Sequence, residues 1–167
     1  VIVVSNASPL ISFARINLFP VLQELFGEIH IPQEVYTEIV IQGGGHAGAV
    51  ETRKAGWIRV RTVASAVLLK QWHASYNLGL GEIATIILAK ELGATLALID
   101  ERKARLLANS QGVNVVGSVA VLEMGYRRGY VIDLRETYHK LQRSGIRIDK
   151  QILNHSLASF GFPPLKS

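Results

Sequence analysis

Three acids and one amide stand where they can do chemistry. Asn6 closes the apolar run "VIVVS", Glu38 lies in "IPQEVYTEI", Glu82 opens "EIATIILAKELG" and Asp100 follows "TLALI". Each has an ordinary explanation when taken alone. An acid in a first helical turn, as at Glu82, is favoured by the helix dipole by roughly 0.3–1 kcal/mol. Glu38 can lie in water at the rim of its helix. Asp100 as a helix cap contributes on the order of 1 kcal/mol. Convergence changes the reading, because two bare carboxylates ~4 Å apart repel by about 4 kcal/mol at an effective dielectric near 20. Glu38, Glu82 and Asp100 meeting near Asn6 therefore require protons or a cation. An oxygen-only set without His or Cys suits Mg²⁺ or Mn²⁺, which accept carboxylates and keep several waters. Such an ion binds a phosphate oxygen, lowers the pKa of water and stabilises a leaving oxygen, which is the chemistry of phosphodiester hydrolysis. Arg102, Lys103 and Arg105 follow Asp100 closely, where they can hold a phosphate backbone. Glu101 is a second-tier candidate beside them.

Those residues need elements to position them. Val1–Ser5 is apolar without alternation and predicts a buried strand. Ser8 followed by Pro9 predicts a helix start with a hydroxyl cap and proline at the first helical position. A short helix is expected over Leu18–Phe26, a strand at "EIHI" and a helix over "PQEVYTEIVI", broken by Gly43-Gly44-Gly45-His46. Within that helix Glu38 lies about 60° around from Val35, at the edge of the apolar face. A polar helix near Ala47–Ala55 leads into "WIRVRTV", whose alternation predicts a strand nearer the sheet edge. Ser65 is expected to cap a helix reaching about Tyr76. "IATIILA" is apolar nearly all round, so the helix that Glu82 opens should be deeply packed, with Glu82 on the face of Ile86 and Ala89. "TLALI" predicts a buried strand with Asp100 starting the next helix. "VNVVG" predicts a further strand, with Ser118 capping "VAVLEMGYRRG". Two last helices are expected between Leu134 and Phe160, split at Ser144–Ile148. Strands alternating with helices imply right-handed crossovers and a parallel sheet covered on both faces, and sites in such sheets form beyond the C-terminal strand ends.

The 167 residues predict a single α/β domain, with residues 1–130 as core and 131–167 as C-terminal helices. Hydrophobic residues make up 49% and charged ones 19%, which argues against disorder. Cysteine is absent, excluding disulfides and thiolate metal sites and fitting a cytoplasmic setting. No apolar run approaches the roughly 20 residues that span a bilayer, so no membrane association is expected. No signal peptide is expected from the opening residues. The net charge of +5 is uneven. Residues 1–100 carry 7 Lys+Arg against 8 Asp+Glu, and residues 101–167 carry 11 against 5. A basic second half suits a polyanionic partner, nucleic acid first, or simply a soluble basic surface. The triple glycine lacks a following Lys-Ser/Thr and is no P-loop. His46 and His73 read as surface histidines, and Trp57 and Trp72 as packing residues before base-stacking ones.

The ordered blocks "VVSNASPLISFARI", "IPQEVYTEI", "LGLGEIATIILAKELGATLALIDERKAR" and "VNVVGSVAVLEMGYRRG" resemble the PIN-like nuclease domain, closest to a prokaryotic branch of PIN-like proteins. The resemblance implies a three-layer α/β/α fold around a parallel sheet of four to five strands. It implies an acidic pocket for Mg²⁺ or Mn²⁺ and cleavage of single-stranded RNA. Such domains are often the toxin of a toxin–antitoxin pair, and often homodimers. The family's helical glutamate falls on Glu38, the acid opening the middle helix on Glu82 and the strand-end aspartate on Asp100. Ser8 and Ser118 match small hydroxyl residues near the pocket. Asn6 stands where the family pattern has aspartate. An amide oxygen ligates a cation but brings no charge, so metal affinity and water activation should fall. Two functions follow: a metal-dependent ribonuclease, or a catalytically weakened scaffold that binds RNA or a protein partner.

Overall fold

The computed structural model describes residues 1–166. Its five strands are β1 (Val3–Ser5), β2 (Ile29–Pro32), β3 (Ile58–Arg61), β4 (Leu96–Leu98) and β5 (Val115–Val116). All neighbours run parallel, in the order β3-β2-β1-β4-β5. The chain starts in the middle, builds outward through β2 to β3, then returns to the other side of β1 with β4. The order therefore reverses between β1 and β4, and a crevice opens beyond their C-terminal ends. Register fixes what lies there. Ser5 pairs with Leu98, and the Asn6 N–H donates to the Leu98 carbonyl at 3.0 Å. Asn6 and Asp100 thus leave adjacent strands at nearly the same level.

The period of two along each strand divides the core. Val3, Ile29, Ile31 and Leu98 join one buried cluster with α1 (Ala7–Arg15), α2 (Phe19–Phe26) and α8 (Ser118–Arg127). Tyr138 and Leu141 of α9 (Leu134–Arg143), with Leu153 and Leu157 of α10 (Lys150–Ser159), belong to the same cluster. Val4, Ala97 and Ile99 face the other side, against α6 (Leu80–Leu92) and α7 (Arg102–Ser110), with α5 (Ala66–Ser75) packed outside α6. This is the expected three-layer α/β/α arrangement. The expected deep packing of "IATIILA" also holds: Ile83 through Ala89 are all buried, and the Thr85 hydroxyl is satisfied by donating to the Gly81 carbonyl at 2.7 Å. β3 lies at the far edge of the sheet, as expected, but it exposes Val60 along with Arg59 and Arg61, so the burial does not follow the alternation of the sequence. No helix among the described residues is long and apolar enough to cross a membrane.

The structure departs from the sequence expectations at helix starts. α1 begins at Ala7 with Asn6 as its N-cap residue, so Ser8 lies inside the first turn and Pro9 is the third helical residue, not the first. α7 begins at Arg102, capped by Glu101, whose Oε2 accepts the Ala104 N–H at 2.8 Å. Asp100 is therefore not the cap. α8 begins at Ser118 itself, with Gly117 in the cap position. The helix expected over "PQEVYTEIVI" divides into α3 (Gln33–Tyr36) and a π-helical segment, Thr37–Gln42. The wide turn ends at Gly43, where a Cβ would lie 2.5 Å from the Ile39 carbonyl oxygen. Only glycine fits that close approach. From there α4 (Ala49–Lys54) leads the chain into β3.

Candidate functional site

Asn6 is 3% exposed, and its side-chain oxygen has no hydrogen-bond partner among the described residues. An N-cap asparagine normally turns that oxygen onto its own helix. Here the side chain forgoes the cap and points toward α6. The opposite wall is Gly81, in the first turn of α6. A Cβ built on Gly81 would lie 2.8 Å from Glu38 Oε1 and 3.7 Å from Asn6 Oδ1. Glycine leaves open the space into which an amide oxygen from the β1 end and a carboxylate oxygen from the π-helical turn both project. The π-helical segment has a local consequence for function: it is an inserted turn of the kind that recurs at sites, and it carries Glu38.

Glu82 follows Gly81. Its Oε1 accepts the Gly79 N–H at 3.0 Å, closing a capping box at the head of α6. Two causes raise the Glu38 pKa: burial first, then the Glu82 charge. Burial also raises the Glu82 pKa, with the Gly79 N–H opposing and the Glu101 carboxylate adding. The Glu82 charge thus bears on Glu38 and the Glu101 charge on Glu82, and none of the salt bridges among the described residues involves any of the three. A cation relieves such repulsion.

Asp100 is held differently. The Ser118 N–H donates to Oδ1 at 2.6 Å and the Ser118 hydroxyl to Oδ2 at 2.7 Å. The expected capping role of Ser118 is replaced by this grip, formed across the β4–β5 strand ends. Arg105 arches over Gly117 beside Asp100: a Cβ there would be 2.8 Å from Arg105 Nη1 and 3.0 Å from Asp100 Oδ1. Asp100 lines two hollows. One, of about 390 Å³, includes Arg105, Ser118 and Glu123. The other, of about 300 Å³, includes Ser8, Ser12 and Arg15. Arg102 and Lys103, by contrast, point to solvent and line neither.

The sequence residues are therefore brought together in two groups rather than one. Asn6 and Glu38 converge over Gly81, with Glu82 coupled to Glu38; Asp100 and Ser118 form a locked pair beyond β4. Among the described residues, no three His, Asp or Glu side chains make a ready-made metal cage. The tight three-carboxylate cluster expected from sequence is not formed. A divalent ion still fits the donors present. Mg²⁺ needs only one or two carboxylates when water completes its shell, and the unpartnered buried oxygen of Asn6 sits beside a carboxylate with a raised pKa.

Sequence reasoning passed over Glu34, Arg15 and Arg147. Glu34 precedes Glu38 by one helical turn, lines the hollow of about 470 Å³ with it, and has a buried Oε1 without a partner. Its spacing from Glu38 was visible in "QEVYTE". Arg15 was legible only as a cation in the last turn of α1, and Arg147 lies in an irregular turn with no periodic signal. Trp57 packs against Phe19 at 5.2 Å between ring centroids, and Trp72 against Tyr76 at 5.8 Å, so both tryptophans serve packing.

A central parallel sheet, helices on both faces, and acids gathered beyond the middle strand ends define a nuclease-type α/β/α scaffold. The sequence profile of the PIN domain matches residues 2–161, and the chain belongs to the PIN-domain family. No curated protein matches it.

Proposed function

We propose that this chain is a Mg²⁺- or Mn²⁺-dependent endoribonuclease acting on single-stranded RNA, with Asn6, Glu38 and Glu82 holding the ion and Asp100 completing the pocket. The unpartnered Asn6 oxygen facing Glu38 across Gly81 carries the reading. Bound there, the ion supplies Lewis acidity toward a phosphodiester oxygen. The chain's own residues do the rest. Ser118 orients both oxygens of the Asp100 carboxyl group. Arg105 presents a guanidinium beside it for a phosphate, and Ser8 lines the adjoining hollow. Arg102 and Lys103 add positive charge along the approach. A cytoplasmic protein acting as a homodimeric toxin, silenced by a small antitoxin, is the biological setting that the family favours.

Mn²⁺ calorimetry beside a cleavage assay on single-stranded RNA tests the reading with wild type, Glu38→Gln and Glu82→Gln. The wild type should bind Mn²⁺ and cleave; both variants should lose cleavage by on the order of 100-fold or more. In chelator, Glu38→Gln should melt no lower than wild type, because burial and Glu82 already disfavour its charge. Undiminished cleavage by Glu38→Gln defeats the assignment.

The second reading is a weakened scaffold that binds RNA or a protein. The amide at Asn6 and the absence of a three-acid cage among the described residues favour it. Wild type that binds RNA yet leaves it intact with Mn²⁺ selects this reading.

A further inference from the structure

Three arginines from separate elements line the hollows that flank Asp100. Arg15 ends α1, Arg105 lies in the first turn of α7, and Arg147 lies in the turn between α9 and α10. Arg147 lines both hollows that flank Asp100, sharing one with Arg15 and the other with Arg105. The salt bridges among the described residues join Glu28 to His30 and Arg59, and Glu136 to Arg143. None involves these three guanidiniums. Each acid that borders the hollows already accepts a hydrogen bond from a neutral donor. Asp100 is taken by Ser118, Glu123 Oε2 accepts the Ser156 hydroxyl at 2.6 Å, and Asp149 caps α10 through the Gln151 N–H at 2.8 Å. The cations are left with donor forks and no acceptor, which is the arrangement that binds phosphate bidentately.

We propose that Arg15, Arg105 and Arg147 form a phosphate-binding subsite that grips the RNA backbone on the Asp100 side of the crevice. The RNA ligand rests on the function proposed above; the guanidinium cluster does not. Two adjoining hollows sharing Arg147, Ile148 and Asp100 suit a run of successive phosphates better than a single free one. The turn carrying Arg147 gives the C-terminal helices a task beyond packing. They close the groove over a strand held at the carboxylates.

Anisotropy of a labelled single-stranded RNA, 2′-O-methylated and in chelator to prevent cleavage, tests the subsite on the full chain. Arg15→Gln and Arg147→Gln replace exposed side chains. Each should weaken binding roughly tenfold and reduce the slope of log K against log salt by about 0.7 for every phosphate no longer neutralised. Arg59→Gln, on the far sheet edge, should leave both unchanged. Wild-type affinity and slope in Arg15→Gln and Arg147→Gln overturn the subsite, as does failure of the wild type to bind. A parallel cleavage assay with Mn²⁺ separates the two ideas. Arginine-dependent binding without cleavage keeps the subsite and removes the nuclease; cleavage with a KM untouched by Arg147→Gln does the reverse.

Discussion

Ser118 grips Asp100 with both of its donors, the N–H on Oδ1 at 2.6 Å and the hydroxyl on Oδ2 at 2.7 Å. The aspartate leaves β4, while the serine opens α8 after β5, so the pair ties two adjacent strand ends together. Donors on both oxygens fix the plane of the carboxyl group. Residues that orient a ligand in this way commonly matter 10–100-fold, roughly, to metal affinity or activity.

Ser118→Ala keeps the backbone hydrogen bond and deletes the other. A bond to a charged group contributes about 1.5–3 kcal/mol, and the partly exposed Asp100 recovers some of that from water. Thermal melts should show a loss at or below the lower end of that range, with cleavage falling about tenfold or more. Asp100→Asn combined with Ser118→Ala should cost much less than the two losses added, because both changes strike one interaction. Strict additivity in that double-mutant cycle would show that the two residues act apart.

Gly81→Ala separates site from stability by sign. Alanine is better than glycine within a helix by roughly 0.5–1 kcal/mol. The new Cβ would meet Glu38 Oε1 at 2.8 Å, and the carboxylate is the free end of a flexible side chain that moves cheaply. The variant should melt at or above wild type, yet bind Mn²⁺ more weakly and cleave less. Calorimetry showing unchanged Mn²⁺ affinity would mean that the space over Gly81 is not where the ion goes.

His30 sets a pH dependence remote from the carboxylates. It is buried on β2; Arg61 Nε donates to its Nδ1 at 3.1 Å, and its Nε2 lies 3.4 Å from Glu28 Oε1. Burial first, then the Arg61 charge, lowers its pKa below 6.5, with Glu28 opposing. A neutral folded imidazole against a chargeable unfolded one means that its contribution is complete above pH 6.5 and is lost as pH falls through that value toward the folded pKa. Denaturant melts at about pH 7.5 and about pH 5.5 should show a larger acid loss in wild type than in His30→Gln. An imidazole NMR titration centred above 6.5 would contradict the sign.

The strands and their parallel sheet were legible because apolar runs such as "TLALI" and "VNVVG" are short, bounded and separated by helical patterns, whereas the order β3-β2-β1-β4-β5 came only with the structure. Asp100, Glu82 and Glu38 stood out as candidates for the same reason: each is an acid set against an apolar segment. Helix starts were harder, since the residue types that cap are also those that ligate. Asp100 and Glu101 are adjacent carboxylates, and only tertiary structure decides which folds back onto α7 and which meets Ser118. The π-helical turn under Glu38 left no periodic trace, and the turn holding Arg147 has none to leave. Glu34 was hidden by ordinariness, as one more acid on a helix rim until its Oε1 proved buried and unpartnered.

Asn6→Asp asks what the amide at the end of β1 costs and what it spares. The carboxylate would gain roughly 0.3–1 kcal/mol from the dipole of α1. It would also add a charge beside Glu38, whose pKa burial and Glu82 already raise. Carboxylates ~4 Å apart repel by about 4 kcal/mol at an effective dielectric near 20, so repulsion exceeds the dipole gain. The metal-free variant should therefore melt below wild type. With Mn²⁺ the order should reverse, because the added charge raises affinity and binding to the native state stabilises it by RT ln(1 + [L]/Kd). Cleavage should rise in parallel, or emerge where wild type has none. A variant that melts lower in chelator and gains nothing from Mn²⁺ would show that the Asn6 oxygen faces an empty niche, and that the ion is held elsewhere in the crevice.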